Sequence, residues 1–209
     1  MLHLHKEILT ERQHELLGVV KEFDDAFGLV GGTAIALHIG HRESIDFDLF
    51  TKDPATEFDT SRILKQVRRH AMIETVIRER DEELTLTITG VQFTFYHFEH
   101  IIPYNVRLRG AINIPDLLTL AAMKAYAHGQ RAKWKDYVDI YFILRDHYSL
   151  EQISNKAKEL FKGEFNERLW RQQISYFDDM RNVDPVTFKP GFEVSDDEIK
   201  KRLIEWSLA

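Results

Sequence analysis

The chain has 209 residues, of which 44% are hydrophobic and 30% are charged, and its formal net charge at neutral pH is −6. This composition is typical of a globular protein, and the negative charge disfavours a protein that coats nucleic acid through charge alone. Cysteine is absent, which excludes disulfides, zinc–thiolate centres, iron–sulfur clusters and a cysteine nucleophile. The sequence has no run of 18 apolar residues and no signal-peptide core, so we expect a cytoplasmic protein without a membrane partner.

Charge is unevenly distributed along the chain. Residues 1–60 have a net charge of −7, residues 61–145 of +4, and residues 146–209 of −3. An acidic segment followed by a basic one fits a site that holds both a metal and a polyphosphate. Ordinary variation of surface charge explains the same pattern equally well.

The first fifty residues are predicted to form two helices and two strands. Thr10 and Gln13 have the spacing of a capping box, which marks the start of the first helix, and Gly28 is expected to end that helix. Gly40 is expected to end the second helix in the same way. The predicted elements are a helix that starts at Thr10, a strand over 29–30, a helix over 33–39 and a strand over 45–50.

The next sixty residues are predicted to contain one helix and several strands, and the remainder of the chain is predicted to be helical. Gly90 separates two of the strands, Pro115 suits a first helical position, and Ser149 and Ser195 have the spacing of helix N-caps. Two prolines predict a linker over 184–191. The predicted elements are a helix over 60–70, strands over 73–77, 84–89 and 91–98, helices over 116–127 and 134–145, and two further helices that follow the serines.

The order of these elements predicts an α+β protein with two parts. A mixed sheet flanked by helices is expected over residues 1–113, and a helical domain is expected over residues 114–209.

Candidate chemistry lies between the first two predicted strands. Gly31 and Gly32 join a strand directly to a helix, so the backbone can approach a ligand without a Cβ, and amides at the helix start, with Thr33, can hold phosphate oxygens. Asp46 and Asp48 lie two apart on a predicted strand and share one face. Adjacent carboxylates repel each other unless a cation such as Mg²⁺ lies between them, and Mg²⁺ in turn bridges triphosphate oxygens.

Each of the two motifs has an ordinary structural explanation when it occurs alone. A glycine pair is usually a turn, and an alternating aspartate pair is usually part of a solvent-facing strand. Together and in this order they favour phosphoryl or nucleotidyl transfer.

Two sequence blocks resemble a known family. Gly31-Gly32, thirteen intervening residues and then DFDL at 46–49 resemble the signature of the nucleotidyltransferase superfold of DNA polymerase β and the aminoglycoside nucleotidyltransferases. The longer form GGTAIALHIGHRESIDFDLF resembles more narrowly the AbiEii/AbiGii nucleotidyltransferase-like toxins of type IV toxin–antitoxin and abortive-infection systems. The second block, AAMKAYAHGQRAKWKDYVDIYFIL at 121–144, is similar to that family's helical segment of a lysine, an arginine and Lys-Asp-x-x-Asp.

The resemblance implies an activity, a cofactor and a set of site residues. The activity would be Mg²⁺-dependent transfer from a nucleoside triphosphate to an RNA 3′ end, particularly that of a tRNA, and the implied protein partner is a cognate antitoxin. The implied catalytic residues are Asp46, Asp48, Lys124, Asp136 and Asp139, of which Asp46 and Asp48 would bind the metal. The implied nucleotide-binding residues are Gly31, Gly32, Thr33, Ser44 and Arg131.

The sequence departs from the pattern of the active polymerase-β-type enzymes at one place. Those enzymes place a third carboxylate on a later strand, where it helps to activate the attacking hydroxyl. The predicted strand over 91–98 contains no acid, and Thr94 stands where an aspartate is expected. Two alternatives follow. Either Asp136 or Asp139 serves as the base, or the chain is a degenerate nucleotide-binding module that acts through a protein partner.

Overall fold

The computed structural model describes residues 3–128, 133–178 and 185–208, and its central feature is a five-stranded mixed sheet. The strands are β1 (Phe27–Val30), β2 (Phe47–Thr51), β3 (Thr75–Arg80), β4 (Glu83–Ile88), β5 (Val91–Tyr96), β6 (Val106–Arg107) and β7 (Asn113–Ile114). The strand order in the main sheet is β1-β2-β5-β4-β3, and β6 and β7 form a separate pair. The β2–β5 pair is parallel, whereas the other neighbours in the main sheet are antiparallel.

Each predicted helix is present in the described parts of the chain, and a further helix, over Glu167–Ile174, was not predicted. Capping boxes are present where Thr10 and Ser149 predict them, and Ser195 Oγ accepts from the Glu198 amide. The helices are α1 (Glu11–Lys21), α2 (Gly31–Ile39), α3 (Thr60–His70), α4 (Leu117–His128), α5 (Trp134–Asp146), α6 (Leu150–Phe161), α7 (Glu167–Ile174) and α8 (Asp196–Leu208). None of these helices, within the ranges described, is long and apolar enough to cross a membrane.

One face of the main sheet forms the core of the N-terminal half. Phe47 of β2 and Phe93 and Phe95 of β5 are fully buried on this face, and each buried phenylalanine contributes roughly 2 kcal/mol through the hydrophobic effect. The ring of Phe23, just after α1, lies 4.7 Å from the Phe95 ring, and Val67 of α3 is also fully buried. Because side chains alternate along a strand, Asp48 of β2 and Gln92 and Thr94 of β5 lie on the opposite face.

Some helix boundaries differ from the predictions. Helix α2 begins at Gly31, two residues before its predicted start at Thr33. Gly28 lies inside β1 and does not end α1, which stops at Lys21. Gly28 is required because the Tyr104 ring packs against it, and a Cβ there would overlap that ring. Pro115 lies before α4 and not at its first position, since the Asp116 carboxylate accepts from the amide three residues later and so caps the helix.

The linker predicted over 184–191 is a paired segment. Its first residue lies outside the described parts of the chain. The Glu43 amide donates to the Thr187 carbonyl over 2.9 Å, and the Lys189 amide donates to the His41 carbonyl over 3.0 Å. These bonds form a short antiparallel bridge, so the C-terminal half contacts the loop that precedes β2.

Strand boundaries shift by a few residues from those predicted. The strand predicted over 45–50 begins at Phe47, and the strand predicted over 73–77 begins at Thr75. The described residues that follow Leu117 form helices, apart from the paired segment and the connecting turns. The α+β fold with a helical C-terminal half therefore agrees with the prediction.

Candidate active site

The N-terminus of α2 lies directly against two charged side chains, those of Asp48 and Arg42. Gly31 has φ +71°, in the left-handed region that favours glycine, and a Cβ there would overlap the Asp48 carboxylate. A Cβ on Gly32 would lie 2.5 Å from Arg42 Nη2. The two glycines therefore allow a carboxylate and a guanidinium to approach the first turn of the helix, where unpaired amides favour anions.

The two aspartates of the motif lie at the start of β2. Asp46 immediately precedes the strand and Asp48 is its second residue. Both are half-buried, and they alternate with the buried Phe47. In the parallel pairing of β2 with β5, Asp48 is the register partner of Thr94. The position at which a third carboxylate would lie beside Asp48 is therefore occupied by a threonine.

Thr33 and Ser44 fix the loop that leads into β2. The Thr33 hydroxyl lies 2.8 Å from Ser44 Oγ and donates to the backbone carbonyl of Asp46. Thr33 is 2% exposed, so its side chain is committed to the protein interior. These contacts hold the backbone of Asp46 next to the N-terminus of α2.

A buried ionic network joins this loop to the helical half. Asp139, which is fully buried, accepts from Arg42 Nε over 2.7 Å, from Arg42 Nη2 over 2.9 Å and from His41 Nε2 over 2.8 Å. Lys124 Nζ lies 3.0 Å from Asp139 Oδ2 and 2.6 Å from Asp136 Oδ1. The network brings together residues of α4, of α5 and of the segment between α2 and β2.

The charges in this network stabilise one another. Burial raises the pKa of Asp139, but Arg42 and Lys124 outweigh that effect and hold its pKa well below the usual range. Burial lowers the pKa of Lys124, but Asp136 and Asp139 outweigh it, so the net shift of the Lys124 pKa is upward. Asp139 and Lys124 are therefore both ionised at neutral pH.

Lys135 connects α5 to the metal-site candidates. Its Nζ lies 3.7 Å from Asp46 Oδ2, and its side chain is 30% exposed, against 9% for Lys124. Sequence reasoning did not single out Lys135 as a site residue, although it is the lysine of the Lys-Asp-x-x-Asp motif. Its position directly before Asp136, a predicted catalytic residue, could have indicated that Lys135 also lies at the site.

The structure therefore places the predicted residues in two groups joined by contacts. One group surrounds the start of α2 and β2, and the other is the buried network of α4 and α5. Arg131 lies outside the described residues. The first group is Gly31, Gly32, Thr33, Ser44, Asp46 and Asp48, and the second is Lys124, Asp136 and Asp139.

The sequence matches a known protein family over most of its length. The model of the family described as nucleotidyl transferase AbiEii toxin, type IV TA system, matches residues 16–205. An uncharacterized protein of Aquifex aeolicus is 28% identical over 203 residues, which cover 95% of this chain and 97% of that protein.

Solved structures share the fold. A Helicobacter pylori protein described as a nucleotidyltransferase has a TM-score of 0.55 and 15% identity, with 95% of this chain and 94% of that chain covered. The nucleotidyltransferase toxin MenT4 of Mycobacterium tuberculosis has a TM-score of 0.54 and 13% identity, with coverage of 94% and 80%. The fold of these structures and the match of the family to most of the sequence lead to one conclusion: the chain belongs to the AbiEii nucleotidyltransferase toxin family of type IV toxin–antitoxin systems.

Proposed function

We propose that this toxin-family nucleotidyltransferase uses Mg²⁺ and a nucleoside triphosphate to modify the 3′ end of an RNA, with tRNA as the leading acceptor. The acceptor oxygen bonds to the α-phosphorus, the bond from that phosphorus to the bridging oxygen of the β-phosphate breaks, and pyrophosphate leaves. The acceptor proton passes to solvent or to a nearby carboxylate. The observation that carries the proposal is the contact between the glycine turn of α2 and the Asp48 carboxylate.

The donor set at the start of β2 fits Mg²⁺. Asp46 and Asp48 offer hard carboxylate oxygens, which Mg²⁺ prefers, and both are half-buried beside the glycine turn. When bound, the ion would supply a positive charge to the phosphate oxygens during transfer. We assign Asp46 and Asp48 as its ligands.

The first turn of α2 is the proposed phosphate-binding element. Gly31 and Gly32 present backbone amides without a Cβ in the way, and the helix dipole favours negative charge at this end. Ser44 Oγ lies near the same turn. Since the Thr33 hydroxyl is engaged by the loop before β2, we assign the Thr33 side chain a positioning role. Arg131 remains a proposed phosphate contact.

Asp139 suits a positioning role better than a base. Both of its oxygens accept from cationic groups or from His41, and it is fully buried, so a substrate hydroxyl has no access to it. Its contacts instead orient Arg42 against Gly32 and hold Lys124. Asp136 is 15% exposed and remains the proposed carboxylate that completes the site on the helical side.

A transfer assay tests the proposal. Protein, Mg²⁺ and each α-labelled nucleoside triphosphate are incubated with total RNA or with protein alone, beside an Asp46→Ala/Asp48→Ala variant. Label in RNA that disappears in the variant is the expected result. Label in protein would replace the RNA acceptor with a protein acceptor.

A second candidate function rests on Thr94. Because this residue occupies the place beside Asp48 where a third carboxylate is expected, the fold could serve as a nucleotide-binding module that acts through a protein partner, such as the antitoxin that the family name implies. Mg²⁺-dependent nucleotide binding without transfer to any acceptor would favour this second function.

A further inference from the structure

Two lysines of the helical half approach the proposed site, and their surroundings differ. Lys124 Nζ lies within 3.0 Å of both Asp136 and Asp139, and its side chain is 9% exposed. If Lys124 turned toward a ligand, Asp136 and the fully buried Asp139 would each lose one cationic partner. Breaking a buried ion pair in this way is strongly unfavourable. Lys124 is therefore held in place by its partners.

Lys135, in contrast, forms a long and partly exposed ion pair. Among the residues that the structure describes, Asp46 supplies the carboxylate within 4 Å of its Nζ, at 3.7 Å. That distance exceeds a normal hydrogen bond, and the two side chains are 30% and 31% exposed. Ion pairs of this kind contribute little to stability and exchange partners readily. The head group of Lys135 can therefore turn to another anion at small cost.

The backbone at Lys135 is firmly placed, although its head group is not. Its neighbour Trp134 is 4% exposed, Tyr137 is fully buried, and Asp139 is held in the ionic network one turn along α5. The first turn of α5 thus holds the Lys135 backbone beside Asp46, so a rotation of the side chain is sufficient to bring its ammonium group to another anion.

Binding of an ammonium group and binding of a divalent cation at the Asp46 carboxylate oppose each other. Two cations at one carboxylate repel each other, whereas a triphosphate bound at the same cation brings negative charge within reach of Lys135. We propose that Lys135 is the lysine that contacts the triphosphate, and that it exchanges Asp46 for the nucleotide when Mg²⁺–nucleotide binds. This inference rests on the proposed function. Lys124 acts as a positioning residue.

The exchange has a defined chemical effect. At the triphosphate, the Lys135 ammonium donates hydrogen bonds to phosphate oxygens and offsets the negative charge that develops on departing pyrophosphate. The residue forms no covalent bond and gives up no proton. Its two partners, Asp46 and the phosphate, have the same charge sign.

The test compares Lys135→Met with Lys133→Met. Lys133 lies two residues earlier, is exposed and carries the same charge, so its variant controls for the loss of one lysine. Two affinities are measured for each protein, that for Mg²⁺ alone by calorimetry and that for a fluorescent ATP analogue in the presence of Mg²⁺. Neither measurement depends on turnover.

We expect Lys135→Met to change the affinities for Mg²⁺ and for the Mg²⁺–nucleotide in opposite directions. Affinity for Mg²⁺ alone increases, because a competing cation has been removed from Asp46, whereas affinity for the Mg²⁺–nucleotide falls about tenfold, the loss expected for one hydrogen bond to a charged group. Lys135→Arg should restore most of the nucleotide affinity. Lys133→Met should match the unchanged protein in both measurements.

Two results would overturn the inference, and they are distinct from failure of the proposed function. If Lys135→Met behaves like Lys133→Met, or if it weakens the binding of Mg²⁺ and nucleotide together, Lys135 is a structural ion-pair partner. If the unchanged protein shows no Mg²⁺-dependent nucleotide binding, or if Asp46→Ala leaves that binding unaltered, the proposed function fails and the inference fails with it.

Discussion

Arg42 binds Asp139 through two parallel hydrogen bonds, from Nε over 2.7 Å and from Nη2 over 2.9 Å, although the residues are 97 positions apart. Arg42 is 3% exposed and Asp139 is fully buried. Because the same guanidinium packs against Gly32, this pair joins the proposed phosphate-binding turn to α5. The position of α5 and the position of the first turn of α2 are therefore linked by contacts of a single arginine.

Asp139→Asn tests how much this ion pair contributes to the stability of the protein. The amide cannot neutralise Arg42 and Lys124, so we expect the free energy of unfolding to fall by about 3 kcal/mol or more, the usual cost of breaking a buried ion pair. Urea unfolding measures the change. Asp46→Asn, at a half-exposed carboxylate, is the control and should change stability by less than about 1 kcal/mol. Equal effects of the two variants would contradict the assigned role of Asp139.

Gly31→Ala tests the contact between the glycine turn and Asp48. Gly31 and Gly110 both have positive φ, at +71° and +82°, but a Cβ at Gly110 meets nothing within 4 Å. Gly110→Ala therefore reports the backbone cost alone, about 1 kcal/mol. We expect Gly31→Ala to be more destabilising and also to weaken Mg²⁺ binding by displacing the Asp48 carboxylate. Indistinguishable unfolding curves and metal affinities for the two variants would disprove the close contact.

Thr94→Asp tests the consequence of the threonine beside Asp48. A carboxylate at this position adds a hard oxygen donor to the proposed metal site, so we expect several-fold tighter Mg²⁺ binding. Without the ion the extra charge repels Asp48, and the melting temperature should fall until Mg²⁺ is added. Gln92→Asp, two residues earlier on the same face of β5, is the control. Equal metal affinities for both variants would place Thr94 outside the metal site.

The pH dependence of stability should reflect the buried histidines. Burial lowers the pKa of His41 below its ordinary value of 6.5, and burial has the same effect on His38. Below about pH 6.5 these histidines bind protons in the unfolded chain but not in the folded protein. The free energy of unfolding is therefore highest above this pH and falls as the pH decreases. Thermal melts between pH 7.5 and 5 measure the loss. His41→Gln should reduce it, and an unchanged slope would contradict the burial of a neutral His41.

Local signals in the sequence were sufficient to predict most helices. The capping boxes at Thr10 and Ser149 depend on residues three positions apart, and the structure contains both. Helix α3 has the predicted bounds because its apolar spacing and its flanking residues are also local. The resemblance of the two sequence blocks likewise predicted the family, which the match over residues 16–205 confirmed.

Features that depend on distant partners could not be predicted in the same way. The role of Gly28 is set by the Tyr104 ring, and the predicted linker pairs with His41 and Glu43 far earlier in the chain. Spacing showed that Asp136 and Asp139 share a helix face, but it could not show that Asp139 is fully buried against Arg42. The exposure that separates Lys135 from Lys124 also follows from tertiary contacts.

The backbone bridge between Glu43 and Thr187 has a consequence for protein synthesis. The glycine turn, the aspartates and α2 all emerge early from the ribosome, but the loop before β2 receives this pairing partner only after residue 187 has been translated. Contacts of such sequence separation form late. A nascent or truncated chain therefore carries the entire aspartate motif without the completed loop, so an intact site is a property of the finished polypeptide.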